Sequence, residues 1–281
     1  MYNKVTVTNL ADDSCHVRGL IAEHGLSLLV QAGGNRFIFD CSQGYPPVLN
    51  ARRLGLSLKG LDFIAISHGH YDHTGGLKSF LLKHGPVDVF AHPYIFQDKY
   101  RYDSSGRHKY IGIPHSWGNL EEWGARFKMS RQPVEVASGI IISGEVPRRT
   151  PFEIVNPYYL VREGARYRVD PLLDDQFVVI TVQDGLVILT GCAHSGLVNI
   201  LNYAVDLTGI PRVRAVIGGT HLIEAGPERM AQTVTALQRF EVQQVAVSHC
   251  TGYLAQAELR KRLGERFVLT ATGSTLTIGD G

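Results

Sequence analysis

Four side chains that commonly bind metal ions lie within six residues, in the segment His68-Gly-His70-Tyr-Asp72-His73. Side chains two apart in an extended segment point the same way, so His68 and His70 can contact one cation. A tight turn then directs Asp72 and His73 toward a second cation position. Imidazole and carboxylate ligands without a thiolate are typical of a reactive zinc, iron or manganese site rather than of a sulfur-rich structural one.

The neighbouring segments indicate where these ligands lie in a fold. The apolar, β-branched run from Leu61 to Ser67 predicts a buried parallel strand, and a helix is expected from Leu77 to His84. The metal-binding residues therefore follow the carboxyl end of a strand. Open α/β sheets place their ligand sites at that edge.

Three further apolar runs each predict a strand that ends close to a histidine. The pairs are residues 186–190 with His194, residues 213–218 with His221, and residues 244–248 with His249. We expect imidazoles from these distant parts of the chain to converge with the first segment on one cation cluster.

The HxHxDH segment and the ordered strand-end histidines resemble the metallo-β-lactamase superfamily, from Asp40 to His249. The resemblance implies an α/β fold, a four-layer αβ/βα sandwich, formed by residues 1–281 as one domain. It also implies two divalent metal ions, with zinc as the first choice and manganese or iron as alternatives. The implied ligands are His68, His70 and His194 for one metal and Asp72, His73 and His249 for the other.

One residue departs from the superfamily pattern. An aspartate that bridges both metals is expected between the last two ligand histidines, and His221 stands there instead. Three interpretations are open: His221 is a terminal ligand, it contacts the substrate, or it is a buried core histidine.

Several short segments are similar to one branch of the superfamily, which is named for a dihydropterin-ribofuranosylaminobenzene-phosphate synthase of methanopterin biosynthesis. They are residues 22–26, 143–148, 190–196, 218–222 and 248–252. Other members of that branch are described as metal-dependent hydrolases. Two reactions are therefore open: hydrolysis of an anionic, phosphate-bearing and pterin-like small molecule, or transfer of a pterin methyl group from its diphosphate to an aminobenzene ribose phosphate.

Two aspartates have expected roles beside the metals. Asp72 is the candidate catalytic residue, because a ligand carboxylate can orient the nucleophile or accept its proton. Asp40, at a strand end, is expected to hold a ligand imidazole through its second nitrogen, or else to be an ordinary turn aspartate.

Four further residues are candidates for binding substrate. Arg148 and Arg149, between Gly and Pro on one side and Thr on the other, can form an anion clamp or simply a solvated pair. Glu23 and His24, on an early loop, are candidates to reach the pocket, with a structural role as the alternative.

Residues 93–175 are expected to form a long irregular insertion that serves as a lid or a binding wall. The segment is rich in aromatic and cationic side chains, which suit a flat anionic substrate. The alternative is ordinary packing of the insertion on the sandwich. The residues concerned are Tyr94, Phe96, Tyr100, Arg101, Tyr102, Arg107, His108, Tyr110, His115, Trp117 and Trp123.

Composition restricts the class of protein. The net charge of +2 indicates neither a nucleic-acid nor a membrane partner, and no stretch approaches a membrane-spanning length. The four cysteines show no C-x-x-C spacing, and the first residues are typical of a strand rather than a signal peptide. We expect a cytoplasmic protein that acts on a small molecule; its oligomeric state stays open.

The remaining elements complete two βα-rich halves. Strands are expected at residues 4–9, 26–31, 36–40 and 87–92, a hairpin at 177–190, and helices at 47–54, 197–207, 228–240 and 256–263. A non-catalytic metal-binding protein is the main competing class. A flavodiiron reductase would carry Glu at the position of His70, a nuclease a basic arm, and an exported β-lactamase a signal peptide.

Overall fold

The computed structural model describes residues 1–103 and 105–279. Apolar runs in the first part of the chain form five strands, and three helices lie in the connections between them. In order, these elements are β1 (Val5–Ala11), β2 (Ser27–Ala32), β3 (Asn35–Phe39), α1 (Pro46–Arg53), β4 (Phe63–Ala65), α2 (Tyr71–Thr74), α3 (Leu77–His84) and β5 (Val87–Ala91).

The middle part of the chain is mostly short strands. They are β6 (Lys99–Tyr102) and β7 (His108–Tyr110), followed after α4 (Trp117–Glu122) by β8 (Ala125–Met129), β9 (Val134–Ala137), β10 (Ile140–Ile142), β11 (Tyr159–Glu163) and β12 (Arg166–Val169).

The last part alternates strands and helices, as expected for βα units. Its elements are β13 (Phe177–Val182), β14 (Gly185–Thr190), α5 (Leu197–Thr208), β15 (Val213–Gly218), α6 (Pro227–Arg239), β16 (Gln244–Val247), α7 (Tyr253–Leu263) and β17 (Thr275–Ile278). The predicted helix at 256–263 begins three residues earlier than expected, directly after Gly252.

Two large sheets face each other. The first has the order β17-β1-β2-β3-β4-β5-β8, and the second has the order β16-β15-β14-β13-β10-β9. Aliphatic and aromatic side chains from both sheets fill the space between them. Helices α5, α6 and α7 cover the outer face of the second sheet, and α1, α3 and α4 cover that of the first. The result is the four-layer αβ/βα sandwich that the sequence predicts.

Strand direction brings many strand ends to one edge. Strands β3, β4 and β5 are parallel, and β1 and β3 are both antiparallel to β2, so β1, β3 and β4 end on the same side. In the second sheet β14, β15 and β16 are parallel and likewise end together. Residues that follow these six strands are therefore placed next to one another.

The prediction that residues 93–175 are irregular was wrong. Strand β8 extends the first sheet, and β9 and β10 extend the second. Strands β6, β7, β11 and β12 form a third, antiparallel sheet of order β12-β11-β6-β7, which we call the lid sheet. Its strands are only three to five residues long and carry many polar side chains, so their period-two signal is weak in the sequence.

Most of the aromatic residues of this region pack against one another. Tyr100 contacts Tyr110 edge-on at a ring-centroid distance of 5.3 Å, and Phe96 packs against Trp117 at 5.1 Å. These aromatic side chains pack together and, except for Tyr100, line a surface pocket of their own, whereas Arg101 and Tyr102 lie at the cavity described below.

Within the described ranges, no helix has both the length and the apolar composition that crossing a bilayer requires.

We predict that Phe37→Ala destabilises the protein strongly. The Phe37 side chain is fully buried between the two sheets and stacks on Phe63 at 4.5 Å. Loss of a buried phenyl ring and the cavity left behind cost about 3–5 kcal/mol of unfolding free energy. Urea unfolding at constant metal content measures the change. The matched control is Tyr253→Ala, an aromatic side chain 83% exposed, which should change stability by less than about 0.5 kcal/mol. Equal losses in the two variants would contradict the assignment of this core.

Candidate metal centre

Six of the predicted ligands lie together at the shared strand edge. His68 and His70 follow β4, Asp72 and His73 lie on α2, His194 follows β14, and His249 follows β16; all six side chains are buried. The strand directions described above account for this convergence.

The first group of side chains contains His68, His70 and His194. Nε2 of His68 lies 2.9 Å from Nδ1 of His70, and the ring of His194 lies 4.8 Å and 5.0 Å from the two other rings. Burial holds the pKa of His68 and of His194 well below the usual range and lowers the pKa of His70 to about 3. These imidazoles are therefore neutral and have lone pairs available for a cation.

The second group contains Asp72, His73 and His249. Asp72 Oδ2 lies 3.5 Å from His249 Nε2 and 3.8 Å from His73 Nε2. Burial alone would raise the pKa of the Asp72 carboxyl, but His73 and His249 hold it well below its usual range. Burial alone would lower the pKa of His249, yet Cys250, Asp13 and Asp72 raise it well above its usual range. This half of the cluster therefore has a negative potential that favours a cation.

Hydrogen bonds on the outer nitrogens assign the tautomers of the ligands. Ser67 Oγ donates to Asp40, so it accepts from His68 Nδ1 at 2.9 Å. Nδ1 of His73 donates to Asp40 at 2.6 Å, and Nδ1 of His249 donates to Asp13 at 2.8 Å. Each Nε2 is thereby left facing the cluster, which is the orientation that metal-binding histidines need.

The donor set fits divalent cations on a direct structural test. Within the described part of the chain, Nε2 of His194 and Nδ1 of the neighbouring His221 are buried and have no hydrogen-bond partner. Buried polar atoms rarely lack a partner, and a metal ion is one way to satisfy them. Two groups of nitrogen and oxygen donors side by side match a pair of metal positions.

Asp40 and Asp13 hold the ligand rings from behind. Asp40 is fully buried and accepts hydrogen bonds from Ser67 N, Ser67 Oγ and His73. Asp13 was not among the predicted site residues. Strand β1 extends to Ala11, two residues beyond its predicted end, and the strand-end position of Asp13 is the signal that would have identified it.

A sulfur atom lies among the candidate ligands, although the HxHxDH segment itself offers only imidazole and carboxylate donors. Cys192 Sγ lies 3.1 Å from His73 Nε2 and 3.5 Å from His249 Nε2. Cys192 is two residues before His194, and the intervening Ala193 has a left-handed backbone (φ 55°), which non-glycine residues seldom adopt.

His221 lies at the edge of the cluster, where it forms a third group of possible metal-binding side chains with Cys192 and Cys250. Its ring is 4.4 Å from that of His194, and its Nε2 lies 3.1 Å from Tyr159 Oη of the lid sheet. Its backbone is also left-handed, with φ 48°. Left-handed non-glycine residues at Asp40, Ala193, His221 and His249 place local strain at this edge, as is common at functional sites.

The structure separates the two early-loop candidates. His24 reaches the cluster, with Nε2 3.3 Å from Asp72 Oδ2 and Nδ1 3.2 Å from Asp13 Oδ2. The Glu23 carboxylate instead lies against Ser42 and Gly44, away from the cavity. His24 therefore lines the cavity, and Glu23 does not.

The two predicted clamp arginines do not reach the metal cluster. Arg149 forms an exposed ion pair with Asp206 on α5, at 2.7 Å. Arg148 donates to Leu172 O and lines a separate cleft with Asp175 and Tyr203. The Gly-Glu-Val-Pro turn directs both side chains to the outer side of the second sheet. Two adjacent positive charges in the sequence therefore did not indicate an anion clamp at this cavity.

A cavity of about 520 Å³ opens onto the ligands from the lid side. Its cationic residues are Arg101 and Lys109, both from the lid sheet, and its aromatic residues come from the lid sheet and α2. The lining comprises His24, His70, Tyr71, Asp72, Arg101, Tyr102, Asp103, Lys109, Ile111 and Tyr159. This is a concave, mixed polar and aromatic pocket, of the kind that binds small molecules.

A buried ion triad joins the lid sheet to the ligand loop. Lys99 of β6 is 1% exposed and contacts Asp170 at 2.8 Å and Asp174 at 2.9 Å. The other oxygen of Asp174 accepts from Gly69 N, between His68 and His70. Gly69 also has no room for a Cβ because the Ile95 backbone lies against it. The spacing of these two ligands therefore depends on the lid.

Comparison with known proteins agrees with this geometry. Residues 20–206 match the family model of the metallo-beta-lactamase superfamily. The 7,8-dihydropterin-6-methyl-4-(beta-D-ribofuranosyl)-aminobenzene-5'-phosphate synthase of Methanocaldococcus jannaschii is 33% identical over 259 residues, covering 88% of this chain and 87% of that protein.

Solved structures are similar over the whole chain. A metal-dependent hydrolase of the beta-lactamase superfamily superposes with a TM-score of 0.84 at 27% identity, covering 98% of this chain and 100% of that one. A diphosphatase of the PhnP family shares the fold, with a TM-score of 0.53 at 14% identity over 99% of this chain and 98% of that one. On the family match, the full-length relative and the shared fold, the chain belongs to the metallo-beta-lactamase superfamily.

Proposed function

We propose that this protein is a metal-dependent hydrolase that acts on an anionic, phosphate-bearing small molecule. The observation that supports this most directly is the convergence of neutral imidazole lone pairs and one carboxylate on a cavity that also contains Arg101 and Lys109. Structural metal sites are closed by protein ligands, whereas this one faces a cavity.

Two divalent cations are proposed, one held by His68, His70 and His194, the other by Asp72, His73 and His249. Zinc is the first choice because nitrogen donors predominate, and manganese or iron are the alternatives. When bound, such metals supply a Lewis acid for a phosphate oxygen and an acidified water for hydrolysis.

Arg101 and Lys109 are proposed to bind the phosphate groups of the substrate. Arg101 pairs with Glu224 at 2.8 Å, and both side chains are partly exposed, so this ion pair is weak and a phosphate can replace it. Lys109 forms no ion pair within the described residues. These two residues take the role that the sequence suggested for Arg148 and Arg149.

Asp72 and His24 are proposed to accept the proton that the nucleophile releases and to pass it to solvent. Asp72 is buried at the metal side of the cavity, while the His24 side chain is 53% exposed and reaches solvent. The hydrogen bond that His24 Nδ1 donates to Asp13 raises the pKa of His24, against the opposing effect of partial burial. A proton that leaves the nucleophile at Asp72 can therefore pass to His24 and on to water.

Tyr71, Tyr102 and Tyr159 give the cavity aromatic walls that suit a flat ring. We propose a free small molecule as substrate, with neither nucleic acid nor membrane as partner, and the cytoplasm as the location. The near-neutral net charge supports this proposal.

A second candidate is a transferase that joins a pterin methyl diphosphate to an aminobenzene ribose phosphate. The observation in its favour is the synthase from Methanocaldococcus jannaschii, which matches this chain over most of its length. In that reaction the carbon–oxygen bond to the diphosphate breaks and a bond to the aminobenzene forms. Diphosphate leaves with the bonding electrons, and one proton is lost to the cavity.

Product analysis separates the two reactions. Metal-loaded protein is incubated with a pterin methyl diphosphate, with and without the aminobenzene ribose phosphate. A hydrolase releases phosphate or diphosphate at the same rate in both mixtures, whereas a synthase needs the acceptor and forms the coupled product. Absence of turnover of this compound and of generic phosphodiesters would support a non-catalytic metal-binding protein and overturn the proposal.

We expect Asp40→Asn to weaken metal binding by about 10–100-fold, because an amide cannot accept all the hydrogen bonds that orient the rings of His68 and His73. Competition with a chromogenic chelator measures the affinity. Asp88→Asn, which removes a partly exposed carboxylate on β5, is the matched control and should leave affinity unchanged. Unchanged affinity in both variants would show that Asp40 does not position the ligands.

Arg101→Ala should raise the KM of an anionic substrate by about 10–100-fold, as expected for a lost charge-assisted contact, and should change that of a neutral ester much less. Steady-state kinetics with a matched phosphate ester and carboxylic ester test this. Arg149→Ala removes a more exposed arginine outside the cavity, and both KM values should stay within about twofold. A rise in KM for anionic substrates in Arg149→Ala alone would reassign the clamp to the predicted arginine.

A further inference from the structure

The thiol of Cys192 occupies a position common to both groups of metal-binding side chains. Its sulfur lies within 4.8 Å of donor atoms of His68 and His194, and also within 4.8 Å of those of His73 and His249. Among the residues that the structure describes, these two sets have only this sulfur in common. The Cys192 side chain is nearly fully buried, so the sulfur faces the ligands and not solvent.

The distances from this sulfur match those between two ligands of one metal. With metal–nitrogen bonds of about 2.0–2.1 Å and metal–sulfur bonds of about 2.3 Å, a tetrahedral angle separates nitrogen and sulfur by about 3.6 Å. A right angle gives about 3.1 Å on the same bond lengths. The observed separations are 3.5 Å to His249 Nε2 and 3.1 Å to His73 Nε2. In both histidines Nδ1 is engaged by an aspartate, so it is the lone pair of Nε2 that points toward the sulfur.

The backbone around Cys192 is held in place by close packing. A Cβ at Gly191 would collide with the Ser67 side chain and approach the Asp40 carboxylate. Ser195, on the other side, donates from N and Oγ to the buried Asp175. The segment that carries the sulfur is thus fixed between the network behind the ligands and the start of α5.

We propose that Cys192 is a metal ligand whose sulfur bridges the two metal positions, in the place where a bridging carboxylate is expected. This inference rests on the metal binding proposed above. On binding, the S–H bond breaks, the sulfur donates its electron pair to the metals, and one proton is released to the buffer. No oxidant or reductant takes part.

Cobalt(II) replacement tests this proposal without reference to activity. Sulfur bound to cobalt gives a near-ultraviolet charge-transfer band that nitrogen and oxygen ligands do not give. We expect this band in the wild-type protein and its loss in both Cys192→Ser and Cys192→Ala, with cobalt still bound but about tenfold more weakly or worse. A pH-indicator titration should show one proton fewer released per chain in the Cys192 variants.

Cys250→Ser is the matched control. Cys250 is also buried, and its sulfur accepts from His221 N at 3.3 Å; it forms a third group with Cys192 and His221 but belongs to neither of the two histidine groups around Cys192. This variant should keep the band. A wild-type protein that binds cobalt without the band would overturn the proposal for Cys192 but not the proposed metal centre. Loss of the band in Cys250→Ser alone would instead assign the sulfur ligand to Cys250. A wild-type protein that binds no cobalt or zinc would overturn the proposed function as well. If a Cys192 variant fails to fold, a band that is present in both the wild-type protein and Cys250→Ser still supports Cys192, and a band absent from the wild-type protein still overturns the proposal.

Discussion

The buried carboxylate of Asp40 is the interaction on which the geometry of the candidate centre depends. One oxygen accepts from Ser67 N, and the other accepts from Ser67 Oγ and from His73 Nδ1. Because Ser67 in turn orients His68, this one group determines the ring positions of a ligand in each of the two clusters. An unpaired carboxylate buried away from water would cost much folding free energy. The ligand rings and the carboxylate therefore hold each other in position. The left-handed backbone of Asp40 is the local strain that this arrangement requires.

The reacting end of the cavity and its binding end come from different layers of the fold. The six imidazole and carboxylate ligands lie on loops of the two large sheets, whereas Arg101, Lys109 and Tyr159 belong to the lid sheet. In the proposed function the sandwich therefore supplies the metal-binding side chains, and the lid supplies charge and shape for the substrate. Such a division allows the substrate to change while the metal ligands stay in place.

Much of this arrangement could be predicted from the sequence. Long apolar runs such as 186–190 form strands because burial of β-branched side chains dominates there, and a histidine at the end of a parallel strand has a defined edge to occupy. The strand-end position of Asp13 could have identified it as a candidate but not its partner, and Cys192 and Arg101 have no such signal. The direction of the Cys192 side chain depends on a left-handed turn at Ala193, and Asp13 meets a histidine 236 residues away. Arg101 and Arg148 have similar local sequence character, and only the pairing of short polar lid strands determines which one faces the ligands.

The attachment of the lid has a consequence for how such enzymes diversify. Backbone pairing and apolar packing hold the lid sheet against the ligand loop. Lys99, Asp170 and Asp174 add a buried ion triad whose charges are balanced only when all three residues are present. A replacement lid grafted from a relative without the matching cation would leave two buried acids facing each other beneath Gly69. A recombination event that exchanges the lid, and with it the substrate specificity, therefore has to transfer Lys99, Asp170 and Asp174 together. Its crossover points have to lie outside residues 99–174.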